Sequence, residues 1–275
     1  AASVPLAGFP FHSLDQYLYK LLKAGHRVAI CEQVEDAKQA KGIVKREVVE
    51  VVSPGTTISD KFLNNNSNNY LCCVYHSKKN IAITLLDHST GEFLTNEIIS
   101  NDFNNIISKY NISEILILES QQEIFSKYNS INNILISLVP DWINDYNYTN
   151  EILCNHFKVK SMKGFGLKKS SSSVISSGMT IHYIKENFQN KIRHINNLKF
   201  LSYNDVMELD YSTIRNLELF EPLLSNNKKS TLLSTIDKTV TSSGGRLIKN
   251  WITRPLINKN LINDRLNHVE DFFND

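Results

Sequence analysis

Residues 70–98 read YLCCVYHSKKNIAITLLDHSTGEFLTNEI. Three stretches within them, 70–75, 81–87 and 92–98, are rich in β-branched, aromatic and aliphatic side chains, which suit an extended, packed backbone. Between them stand SKKN at 77–80 and HSTG at 88–91, short polar runs that turn hairpins. The spacing predicts three successive strands in an antiparallel meander. Cys72 and Cys73, neighbours on the first strand, are expected to point to opposite faces.

Downstream of the meander the pattern changes to alternation: helix-like 102–110, strand-like 114–118, a short helix, strand-like 134–138 and a helix near 150–157. A meander followed by alternating α and β is the order of a ribonuclease H-like mixed sheet, and residues 70–160 are expected to form one such domain. That order raises the reading of a metal-dependent nuclease, in which clustered carboxylates hold two metal ions and the first projects from the first strand. Residues 70–75 contain no acid. Asp87, Glu92, Glu114 and Glu119 read as strand-end or turn residues, so no catalytic residue and no metal ligand is assigned.

Upstream, residues 1–60 predict a small mixed α/β domain. Ser13-x-x-Gln16 has the form of a capping box, and Leu14, Tyr17, Leu18, Leu21 and Leu22 follow at helical spacing until Gly25. Residues 27–32 and 44–52 read as strands, the second ended by the turn signal Ser53-Pro54-Gly55. Lys38, Lys41, Lys45 and Arg46 cluster between and within them and are the candidates for contact with DNA phosphates, since neutralising phosphates releases counterions without reading sequence. Glu47 and Glu50 support the plainer reading of a solvated charged edge. His12 and His26 have no partner pattern. Residues 61–69, rich in asparagine, read as a linker.

Residues 161–275 are expected to open an all-α core domain. The serine-rich run 170–177 keeps helical apolar spacing through Val174, Ile175, Gly178, Met179, His182 and Phe188, so a helix is predicted over 170–187. Asp210 is placed as the cap of a helix carrying Ile214, Leu217 and Phe220, with Arg215 and Glu218 set to pair. Thr241 is placed as the cap of a helix ending before Pro255, with Gly244 and Gly245 leaving room for a close neighbour, and Asn258 as the cap of the next.

The chain has 275 residues, long for one core, so two or three domains are expected. Its 30 basic and 28 acidic side chains give a net charge of +2, too balanced to announce nucleic acid by itself. No apolar run approaches the roughly 18–20 residues of a membrane span, and the opening AASVPLAGFPF has no basic n-region, so neither a membrane partner nor a signal peptide is expected. Cys31, Cys72, Cys73 and Cys154 show no C-x-x-C spacing, which excludes the zinc and thioredoxin-like readings. They read as buried free thiols of a cytoplasmic protein.

Two ordered strings carry a more specific signal. One is Leu209-Asp210, Thr213, Arg215-Asn216-Leu217-Glu218, Ile236-Asp237-Lys238-Thr239, Thr241, Gly244-Gly245-Arg246-Leu247, Trp251, Arg254-Pro255-Leu256 and Arg265; the other is GFPFHSLDQYLYKLLKAGHRVAICEQVEDAKQAKGIVKREVVEVVSPGT at 8–56. Together they resemble the MutS family of DNA mismatch-recognition ATPases in its bacterial form. The resemblance implies the rear of a mismatch-binding domain over 1–60, a connector domain over 70–160 and the start of the core beyond. It also implies a parent that binds mismatched double-stranded DNA, exchanges ATP for ADP with Mg, forms a homodimer and recruits MutL. The family's Phe-x-Glu wedge, which stacks into the weakened step of a mispair, precedes the block matching Gly8, and no F-x-E stands upstream of Gly8. The Walker A string G-x-x-x-x-G-K-[ST] does not occur. The chain is therefore expected to be an interior slice of such a protein, with no enzyme activity and no cofactor of its own. The rivals are the nuclease and a MutL-type interaction module without a DNA role.

Overall fold

The computed structural model describes residues 9–35, 44–57, 68–78, 80–128, 134–167, 171–188, 192–201, 205–207, 209–224 and 230–274. After one 3-10 turn at Phe11–Ser13, α1 (Leu14–Lys23) turns Leu18 and Leu22 inward against Val52. The expected capping box does not form. Ser13 belongs to the preceding turn, at φ −92° and ψ 0°, so its hydroxyl is not set to reach the first helical amides. At the other end Gly25 takes φ +83°, and the N–H groups of Gly25 and His26 donate to the carbonyls of Leu22 and Leu21, a Schellman closure. β1 (Val28–Gln33) and β2 (Arg46–Val52) pair as an antiparallel ribbon with Val28 opposite Val52.

The meander forms as expected: β3 (Tyr70–Ser77), β4 (Asn80–Asp87) and β5 (Glu92–Ile99) are antiparallel neighbours. The chain continues through α2 (Phe103–Lys109), β6 (Ile112–Leu118), α3 (Gln122–Phe125), β7 (Leu135–Val139), α4 (Tyr146–Phe157), α5 (Ser172–Phe188) and β8 (Lys199–Phe200). Spatial order is β7-β6-β3-β4-β5-β8, with β6 parallel to β3, β7 parallel to β6 and β8 parallel to β5. The sheet is mixed and covered on both faces, which is why β3 and β6 lack polar alternation. Leu71, Cys73, Leu116 and Leu118 point to the side of α4 and α5; Cys72, Val74, Ile115 and Ile117 point to Phe103, Ile107 and Phe125 of α2 and α3. α4 starts at 146, ahead of the expected 150, because the Asp145 carboxylate accepts the Tyr148 N–H at 2.7 Å.

α5 packs against the sheet of β3–β8. It forms a layer on one face of that sheet, with thirteen of its seventeen residues buried. Its small residues let it lie close. A Cβ on Gly178 would stand 2.4 Å from the Thr149 Cβ of α4. The hydroxyls of Ser176 and Ser177 meet the sheet, 2.7 and 3.2 Å from Thr84 Oγ1.

Beyond β8 the regular elements among the described residues are helices, apart from one bridge, Val206 to Leu256. α6 (Tyr211–Asn216) is capped by Asp210, whose carboxylate accepts the Thr213 N–H at 2.6 Å. It does not run on through Phe220. Glu218 adopts φ 49° and turns its carboxylate to the Leu223 N–H at 2.9 Å, so the expected pairing with Arg215 gives way to closing the turn. α7 (Leu232–Ile236) follows with a Thr231/Ser234 capping box. α8 (Ser242–Thr253) has the Thr241 cap and stops ahead of Pro255 as expected; the neighbour close to Gly244 is Thr239, from the preceding loop. α9 (Lys259–Asn274) follows Asn258, whose side-chain oxygen accepts the Asn260 N–H, and Arg265 lies 4.1 Å from the centre of the Trp251 ring. Among the described residues no helix is long and apolar enough to cross a membrane.

Candidate nucleic-acid interface and interdomain joint

Of the four phosphate candidates, Lys38 and Lys41 lie outside the described residues. Lys45 and Arg46 stand at the start of β2, where Arg46 is opposite Gln33. Lys45 Nζ is 2.6 Å from Glu47 Oε1 with both side chains more than half exposed, and the hydrogen bond and charge of Glu47 hold the ammonium above its usual pKa. The pair lies at an exposed edge of the ribbon. Sequence reasoning did not single out the outer face of α1. There Lys20 lies over the exposed Tyr17 ring at 5.2 Å and Lys23 over the exposed Tyr19 ring at 5.8 Å.

A second assembly lies where the ribbon meets the sheet. Residues 53–57 form a turn closed by the Thr56 N–H donating to the Ser53 carbonyl. Three residues hold it, Asn69 just before β3, His88 just after β4 and Glu114 within β6. Asn69 Nδ2 donates to the Pro54 carbonyl at 2.7 Å, and His88 Nδ1 donates to the Thr56 carbonyl at 2.9 Å. The Glu114 carboxylate, fully buried, accepts from Ser53 Oγ and from the Gly55 N–H at 3.2 Å. Its other oxygen accepts from Ser137 Oγ at 2.6 Å and from the Tyr183 hydroxyl of α5 at 2.5 Å. Burial, and then the Glu114 charge, push the Tyr183 phenol up. Gly55 is required for space: a Cβ there would stand 2.6 Å from the Glu114 Cβ.

Glu114 therefore corrects its reading as a strand-end acid; it sits within β6 facing a joint. The available signal was a lone carboxylate inside the apolar run ISEILIL. Asp87 does end β4, where it accepts the Ser89 and Thr90 N–H groups of the hairpin, and Glu92 accepts from the Tyr70 hydroxyl at 2.6 Å. Among the described residues no three His, Cys, Asp or Glu side chains gather as metal ligands. Cys72 and Cys73 are buried on opposite faces, and burial pushes the Cys73 thiol up to about 12; Cys31 is exposed, contrary to the expectation for all four.

The sequence matches three models of one family in chain order: MutS domain I over residues 1–61, MutS domain II over 69–198 and MutS domain III over 212–275. The chain belongs to the MutS family. Curated relatives named DNA mismatch repair protein MutS include those of Flavobacterium psychrophilum, 42% identical over 98% of this chain and 31% of the relative, and of Bacteroides thetaiotaomicron, 38% identical over 98% and 31%. The relative from Halothermothrix orenii is 36% identical over 98% of this chain and 30% of its own length. The chain thus spans about 30% of the length of the MutS relatives it matches. The matched parts are domains I, II and III, and no G-x-x-x-x-G-K-[ST] loop occurs in the 275 residues, so this portion of a MutS chain is not the ATP-hydrolysing part.

Proposed function

We propose that these residues are the DNA-proximal and connecting portion of a mismatch-repair protein, in which a ribonuclease H-like connector joins a DNA-facing unit to a helical core. The observation that carries this reading is the match to three successive MutS domains along one chain. The sheet order supports the ribonuclease H-like assignment, since a meander is extended on the β3 side by two parallel strands. The packing of α5 supports dividing the sheet unit from the helical segment after residue 188. The parent, by family, binds mismatched duplex DNA, uses ATP/ADP and Mg in a domain beyond these, dimerises, recruits MutL and works in the cytoplasm. Lys38, Lys41, Lys45 and Arg46 contribute phosphate contacts, and the chain by itself binds duplex DNA weakly and without sequence preference. Fluorescence anisotropy with matched and mismatched duplexes tests this: steep weakening with salt and equal affinity for both is expected, and a mismatch preference contradicts it.

The interaction-module reading has one observation in its favour. Trp142 is 60% exposed, with its ring edge-on to Tyr148 and His182, an aromatic anchor of the kind that dominates protein interfaces. We assign it to the MutL-facing surface of the connector. Trp142→Ala is expected to weaken capture of purified MutL about tenfold with DNA binding unchanged; equal capture removes the assignment.

A further inference from the structure

The two oxygens of Glu114 serve two different bodies. Oε2 accepts from Ser53 and Gly55, which belong to the turn ending the N-terminal ribbon. Oε1 accepts from Ser137 of β7 and Tyr183 of α5, which belong to the sheet unit. A buried carboxylate needs nearly all its acceptor sites filled, because each empty one costs its full desolvation. Arg27, at the foot of β1, stands 5.4 Å over the ring of the same Tyr183, so the ribbon reaches α5 through the tyrosine ring as well as through the carboxylate. Asn69 and His88 grip the turn by its carbonyls from the sheet side, and the His88 ring also packs against Phe188 at the end of α5, 4.6 Å between ring centres, an apolar contact beside the hydrogen-bonded one at Glu114.

We infer that Glu114 is a latch that makes the N-terminal ribbon and α5 one mechanical unit, so that releasing the turn at 53–57 loosens α5 and loosening α5 releases the turn. The physical reason is that the carboxylate cannot lose the donors on one oxygen without shifting toward the remaining donors or admitting water, and either response moves the groups on the other oxygen. Because α5 spans the sheet and leads to residues 192–201, where Leu201 N–H bonds Thr95 of β5, the latch lies on the covalent route to the helical segment. The coupling arises from this geometry whether or not the chain touches DNA.

Hydrogen exchange by mass spectrometry on the 275-residue chain tests it from both sides. Ser53→Ala removes a donor from Oε2 and is expected to speed exchange about tenfold in α5 residues 180–187 as well as in 46–57. Tyr183→Phe removes a donor from Oε1 and is expected to speed exchange in 46–57 as well as in α5. The β4/β5 hairpin at 80–99 keeps its wild-type rates in both. The thermal effects of the two substitutions are expected to be non-additive in the double variant. Glu114→Gln, which keeps the volume but leaves one accepting oxygen, is expected to loosen both segments together. If Glu114→Gln does not fold, the two single-donor variants still decide. Loosening confined to the substituted side, with additive losses in the double variant, overturns the latch.

Discussion

At the scale of single residues, the positions that matter most are those with no room to give. Gly178 faces Thr149 so closely that Gly178→Ala must push α5 from α4, and overpacking of this kind costs about 1–3 kcal/mol. A melting temperature lowered by several degrees in scanning calorimetry is the expected outcome; an unchanged one means that the helices slide apart freely. Lys45→Ala with Arg46→Ala tests the phosphate assignment. If both side chains neutralise phosphates, the slope of log affinity against log salt falls by about 0.9 for each phosphate left bare, and an unchanged slope returns both to the solvated edge. Residue-level reading of the sequence found caps well where the side chain alone decides, as at Asp210 and Thr241, because a carboxylate or hydroxyl reaching amides two or three residues on is a local matter. It failed at Ser13, where the preceding 3-10 turn took the backbone away, and at Glu114, whose donors come from positions 53, 55, 137 and 183.

At the scale of elements, α4 depends on the Asp145 cap. Asp145→Ala is expected to cost about 1 kcal/mol, visible as faster amide exchange in the first turn of α4, and uniform protection there argues that water replaces the cap without loss. The strands of the meander were legible because β-branched and aromatic composition, hairpin residues and length agree, and their observed ends fall within two residues of the expected ones. The role of α5 was not legible from its own sequence. Serine, glycine and threonine announce a close approach without naming the partner, and only the packing against Thr84 and Thr149 assigns the helix to the sheet unit. α6 ended early for a related reason: Leu217 and Phe220 continue the helical spacing, but Glu218 breaks it to serve Leu223.

At the scale of the whole molecule, acid sensitivity follows from buried imidazoles. His88, His156 and His182 are each held below the usual 6.5, chiefly by burial. The unfolded chain therefore takes up protons first as the pH falls, so stability is fully present above about 6.5 and declines below it. Urea midpoints measured from pH 8 to pH 5 are expected to be level at first and to drop below 6.5; a level profile throughout contradicts the burial of these rings. The sheet unit has one more collective property. Its two hydrophobic cores are lined by alternate residues of the same strands, Cys72 and Ile115 for one and Cys73 and Leu116 for the other. Neither half has a scaffold of its own, so damage on one side is felt on the other at once. Heating this unit should give a single sharp melt with no half-folded plateau, and a protease should find it either intact or entirely open.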